Sequence, residues 1–167
     1  MTDPQGRTAV ASLVTAGAVL LAAGCASSPP SGPPAGPPAA TKALAARYLA
    51  IAQPANHQLD HEFDGLKDNE KDNLAAARAD LRAAAATERR FDRQLMAITF
   101  PPPTEPIVRL LYRVNQARAA LTSTAAGATS LRQLRGCQRR LDAANGPVED
   151  AVRVIRDQLG LPPPTTS

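Results

Sequence analysis

The chain has no tryptophan, and aromatic residues make up only 3% of it. Its five rings, Tyr48, Phe63, Phe91, Phe100 and Tyr112, are scattered, so they offer no stacking platform for bases or sugars. Two cysteines, Cys25 and Cys137, are too few for a disulfide framework, and no CxxC pair is present. A phosphate-cradling glycine loop, a nucleophile elbow and a Ser/His/Asp order are also missing. These absences remove the sequence basis for an enzyme, and we read the chain as non-catalytic. It carries no internal repeat.

What is there begins at the N-terminus. Met1 to Arg7 is short and polar, Thr8 to Ala23 is apolar and small, and Leu21-Ala22-Ala23-Gly24-Cys25 closes the run. A basic start, a short apolar core and small residues at the cut define a secretory signal. The run falls short of the roughly 20 residues that a membrane-spanning helix needs. Its end resembles a bacterial lipobox. That resemblance implies cleavage after residue 24, a diacylglycerol thioether on Cys25, and a mature protein held on the extracytoplasmic face of the cell membrane. Two acyl chains make a stable anchor, at about 0.8 kcal/mol per buried CH₂. A lipidated Cys25 leaves Cys137 as a lone thiol.

After Cys25 the composition changes twice. Residues 25–40 hold six prolines among Gly, Ser and Ala, which suits a semi-extended spacer and no core. Thr41 to Leu161 is rich in Ala, Leu, Arg and Asp, a helix-forming composition of a length that suits one core. Residues 162–167 read as a loose tail. Four amphipathic segments are expected in the domain. The first runs from Thr41, as cap, to an Asp64-Gly65 stop, with Leu44, Tyr48, Ile51, Ala55 and Leu59 on one face and a kink at Pro54. The second spans 68–98, ended by Phe100 and three prolines. The third spans 104–126, with a stripe of Ile107, Leu110, Leu111, Val114, Ala117 and Leu121. The fourth starts near Ser130, and its stripe from Leu134 to Leu159 keeps phase across Gly146-Pro147. The fold class expected is all-α: an antiparallel four-helix up-and-down bundle after a disordered signal and linker.

Four groups of residues invite chemistry. His57, His61 and Asp64 stand at i, i+4 and i+7 on the first helix, on one face. Two imidazoles and a carboxylate are a donor set for Zn²⁺ or Cu²⁺ with an open fourth position; the alternative is a polar solvent face that happens to carry both histidines. Asp68, Glu70 and Asp72 fit the first oxygen positions of a calcium loop. The glycine and the closing glutamate are missing, Asn73 and Ala79 standing in their places, so a solvated turn is the better reading. Arg132, Arg135, Arg139 and Arg140 form a basic group suited to anionic lipid headgroups near the tether. A second group, Arg89, Arg90 and Arg93, has Glu88 and Asp92 interleaved with it. Glu88 also lies close to the apolar stripe, and we expect it half-buried and paired with an arginine.

The formal net charge is +4, and removing the signal, which carries Arg7 and Asp3, leaves it unchanged. So modest a charge on an exported domain argues against nucleic acid. Tyr48-Leu49-Ala50-Ile51-Ala52, Thr87-Glu88-Arg89-Arg90-Phe91-Asp92 and Leu159-Gly160-Leu161-Pro162-Pro163 make the domain similar to small lipoproteins of actinobacteria. That resemblance implies an exported helical domain without an assigned active site. Two functions remain open from sequence: a membrane-tethered module that binds an envelope protein or senses the envelope, and a metal-buffering lipoprotein using His57, His61 and Asp64. Zinc titration separates them. Binding that is lost in His57→Ala/His61→Ala supports the metal function, and equal binding ends it.

Overall fold

In the computed structural model, residues 38–164 are described. The expected signal (1–24), Cys25, the linker as far as residue 37 and residues 165–167 lie outside them. The chain folds into four helices: α1 (Ala39–Asn69), α2 (Leu74–Met96), α3 (Glu105–Ala126) and α4 (Leu131–Gln158). There is no strand among the described residues. No helix among them is long and apolar enough to cross a membrane.

Cross-helix contacts fix the topology. Asn69 meets Asp80, Glu62 meets Thr87, and Gln58 meets Arg90, so α2 runs back along α1. Arg78 meets Ala126, Glu88 meets Arg118, and Asp92 meets Asn115, so α3 runs back along α2. Close backbone approach is concentrated in the sequential pairs α1–α2, α2–α3 and α3–α4. Between α1 and α4 a seam remains that side chains close, Gln138 reaching Glu70 across it. The small residues of α2 let it pack tightly, with Ala84 and Ala85 both buried between its neighbours.

Several boundaries differ from the sequence expectation. The first helix begins at Ala39 behind Pro38, inside the expected linker, and Thr41 is not its cap. It also runs through Asp64-Gly65 to Asn69. Gly65 is a contact residue and not a stop: a Cβ there would come within 3.3 Å of the Asp80 carboxylate on α2. The second helix starts at Leu74, six residues later than expected, because Asn73 accepts the Ala76 N–H at 3.1 Å and so caps it. Asp68 therefore sits in the last turn of α1, and no twelve-residue calcium loop forms. Thr104 occupies the N-cap of α3 but makes no side-chain capping bond. The fourth helix is continuous through Gly146-Pro147, as its stripe implied, with Ser130 accepting the Gln133 N–H at 3.2 Å.

The apolar core is in two parts. One cluster gathers Tyr48, Leu95, Leu111 and Ile155 with Phe100 and Leu159. The other gathers Leu66, Ala77, Leu81, Ala125 and Leu134. On α1, α2 and α3, polar residues occupy the stretch between the clusters: Glu62 on α1; Thr87, Glu88 and Asp92 on α2; Asn115 and Thr122 on α3, all buried. The third helix is rotated from its expected phase to allow this. Leu110 is 38% exposed, while Val108, Asn115, Ala119 and Thr122 face inward.

The C-terminal end of α4 closes on Gly160, whose φ of 65° is left-handed. The Leu161 N–H reaches back to the Arg156 carbonyl at 2.8 Å, and Leu161 packs on the first cluster. A Cβ at a left-handed position costs about 1 kcal/mol. Gly160→Ala is expected to lower the unfolding free energy by that amount in urea titration; an unchanged midpoint would show that the turn does not depend on glycine.

Candidate functional site

The buried polar layer is built from helix phase. On α2, positions 81, 84, 88, 91 and 95 share the inward stripe, so Glu88 enters the core where an apolar residue is the usual choice. On α3, positions 111, 115, 118, 122 and 125 do the same with Asn115, Arg118 and Thr122. The two stripes meet mid-bundle. Arg118 Nε lies 3.0 Å from Glu88 Oε1, the Glu88 side chain being fully buried and that of Arg118 15% exposed. The guanidinium carbon stands 5.5 Å from the centre of the Phe63 ring on α1. Arg118 thus ties three helices together.

The partners of the three buried acids differ. Asp92 is well satisfied: Asn115 Nδ2 donates to one oxygen and Gln116 Nε2 to the other, each at 2.8 Å. Glu62 takes the Thr87 hydroxyl at 3.0 Å on one oxygen and nothing among the described residues on the other. Glu88 has the Arg118 charge beside it but receives no well-directed hydrogen bond on either oxygen from the described residues. The nearby Thr122 hydroxyl donates to the Arg118 carbonyl at 3.1 Å. We therefore take the Glu88–Arg118 contact as a charge pair without hydrogen-bond alignment.

Burial dominates the titration of this layer. It pushes Glu88 up to about 7, against the restraining charge of Arg118. Burial also raises Asp92 despite its bonds from Asn115 and Gln116, and raises Glu62 despite Thr87 and Arg90. Tyr48 is pushed up to about 12 by burial, with the Arg156 charge opposing.

Glu88 faces a cavity of about 60 Å³ in the α1–α4 seam, whose wall includes Tyr48, Asn56, Asn115, Arg118, Val152 and Arg156. That volume accommodates a few waters or the end of a small ligand. Farther along the same seam Arg118 also borders a wider recess of about 300 Å³, with Phe63, Glu70, Gln138 and Asn145. A carboxyl group that changes charge near neutrality, set beside a guanidinium, can accept a hydrogen bond from a donor group entering the seam. Neither histidine lines either space.

The residues singled out from sequence are distributed elsewhere. His57, His61 and Asp64 are all exposed on α1. Asp64 is 2.8 Å from Lys67, which holds the lysine proton above its usual range. No group of three His, Cys, Asp or Glu side chains among the described residues is placed to hold a metal ion. Arg132, Arg135, Arg139 and Arg140 are exposed on the first half of α4. Cys137 is a free thiol, half-buried against the second cluster. Cys25 lies outside the described residues. Glu88 is found deeper than the half-buried position expected. Asp92, interleaved with arginines in the sequence, is in the interior. Asn115 and Thr122 were missed; the available signal was polar residues in phase with Leu111 and Ala125. Compared with protein-family models, curated proteins and solved structures, the chain has no match.

The sign of the pH dependence follows from Glu88. Below its ordinary value of 4.5 it is neutral folded and unfolded alike. Between 4.5 and about 7 the folded chain keeps a proton that the unfolded chain has released, so stability falls as pH rises. The loss is complete above that window and amounts to about 3 kcal/mol. Asp92 and Glu62 shift the same way. Urea unfolding at pH 5 and pH 8 is expected to show this loss, and Glu88→Gln to remove most of it. An equal slope in the variant would place the proton elsewhere.

Proposed function

We propose that this protein is a lipid-anchored lipoprotein of the extracytoplasmic membrane face, and that its helical domain binds a partner without catalysing a reaction. The observation that carries the binding reading is Glu88. A fully buried carboxyl group whose one charged partner among the described residues is poorly aligned is costly to the fold, by roughly 1–3 kcal/mol. Folded proteins keep such groups at sites that do something. Glu88 lies at the floor of a seam between α1 and α4, which are not among the extensively packed helix pairs. The partner that fits is an envelope protein presenting a neutral hydrogen-bond donor to that seam, whose wall already carries Arg118 and Arg156.

The placement in the envelope rests on the lipobox-like end of the signal at Cys25 and on the proline-rich stretch that follows it. The likeness to actinobacterial lipoproteins belongs to the same reading. So does the non-catalytic assignment, which rests on the catalytic motifs that the sequence lacks.

Two experiments test this. Labelled palmitate is expected on the protein in a bacterial host and to disappear in Cys25→Ser; label that persists defeats the anchor. A photo-crosslinker at Asn56, on the seam wall, should capture a discrete protein in cells, and Glu88→Gln should abolish that adduct. An adduct that survives Glu88→Gln would exclude the seam carboxylate from recognition.

A further inference from the structure

The interior placement of the acids changes the outside of α2. This helix carries five arginines, Arg78, Arg82, Arg89, Arg90 and Arg93, and three acids, Asp80, Glu88 and Asp92. Glu88 and Asp92 are buried. Asp80 is half-buried toward α1, where Asn69 donates to it at 3.1 Å. The charges that alternate along the sequence therefore separate in space. At 100° per residue, Arg78, Arg82, Arg89 and Arg93 fall within roughly 60° of one another on the helix. None of the four forms an ion pair among the described residues.

Three of these arginines do more than share a face. Arg78, Arg82 and Arg89 line a recess of about 310 Å³ between α2 and the end of α3, with Ser123, Ala126 and Gly127 opposite. Two are held in place. Arg78 Nε donates to the Ala126 carbonyl at 2.9 Å, and Arg89 donates to the Ser123 hydroxyl. Their remaining N–H groups stay available, and less rotamer freedom is lost when a ligand arrives. Small residues on the facing wall let an anionic group sit between the guanidinium groups. Planar guanidinium forks match phosphate oxygens in pairs.

We propose that the α2–α3 arginine recess is a binding site for phosphate groups carried in series on an extended polyanion. The stripe favours a chain of phosphates over a single one. From Arg78 to Arg93 it runs about 22 Å along the axis, in steps of about 6, 10 and 6 Å. The recess favours an inserted strand over a flat lipid surface. This site is separate from the α1–α4 seam and does not depend on it.

The test uses the full chain in neutral-detergent micelles, titrated with fluorescent polyphosphate, with orthophosphate, and with phosphatidylglycerol doped into the micelles. Polyphosphate should bind with an affinity that falls steeply with salt. Arg82→Gln/Arg89→Gln should weaken it about tenfold or more and reduce the log–log salt slope by about 1.4 to 1.8. Arg109→Gln/Arg153→Gln, which removes exposed arginines already paired with Glu105 and Asp150, should leave it unchanged. Far-ultraviolet circular dichroism checks the fold. If Arg89→Gln disturbs it, Arg82→Gln/Arg93→Gln probes the same stripe without touching the Ser123 bond. Equal losses in the recess and control variants would overturn the proposal by showing only generic charge attraction. Orthophosphate binding as tightly as polyphosphate would overturn the extended ligand. Capture by phosphatidylglycerol with no response to polyphosphate would assign the face to lipid.

Discussion

The rest of the structure depends on the pairing of Glu88 with Arg118 in the middle of the bundle. A carboxylate fully removed from water needs an opposite charge or a proton, and this one draws on both. Arg118 stands 3.0 Å away, and burial raises the acid to about 7. Holding Arg118 inward turns α3 so that Asn115 and Thr122 also face the core and Leu110 faces water. The apolar core is thereby divided into two clusters with a polar layer between them. Such a layer contributes little net stability, since desolvation offsets much of the attraction. Its effect is on register: sliding α2 against α3 by one turn would separate Asp92 from Asn115 and Gln116 as well as Glu88 from Arg118.

The sequence showed the number of helices, their order and the inward face of α4, whose apolar residues recur in phase from Leu134 to Leu159. It placed α3 only in part: of the expected stripe, Leu111 is in the core and Ile107, Val114 and Leu121 pack at its edge, while Leu110 and Ala117 face water because the fold selects the face that holds Asn115 and Arg118. Periodicity ranks faces by apolar content and gives no weight to a polar side chain that finds a partner on another helix. Glu88 was visible through its position on the stripe, but its depth depends on how closely α1 and α3 approach α2. Asp92 was hidden by its arginine neighbours in sequence. The end of α1 was misplaced for a related reason: Gly65 reads as a stop, while its function is to admit Asp80. The anchor at Cys25 rests on sequence alone.

The interior and the surface are two sides of one charge distribution. By taking Glu88 and Asp92 inward, α2 removes from its outer face the acids that would otherwise neutralise its arginines. A chain with a net charge of only +4 thus presents a face of arginines that, among the described residues, form no ion pair. Two places for binding follow from this single arrangement. One is the seam between α1 and α4, with a titratable acid at its floor. The other is the recess between α2 and α3, lined by cations.

The polar layer turns on the state of Glu88, and a side-chain carbon-13 titration of that residue by nuclear magnetic resonance reads it directly. A midpoint near pH 7 is the predicted result. A midpoint at or below the ordinary value of 4.5 would contradict the account, because it would mean that the carboxylate is solvated or fully compensated and that no buried, proton-holding layer divides the core.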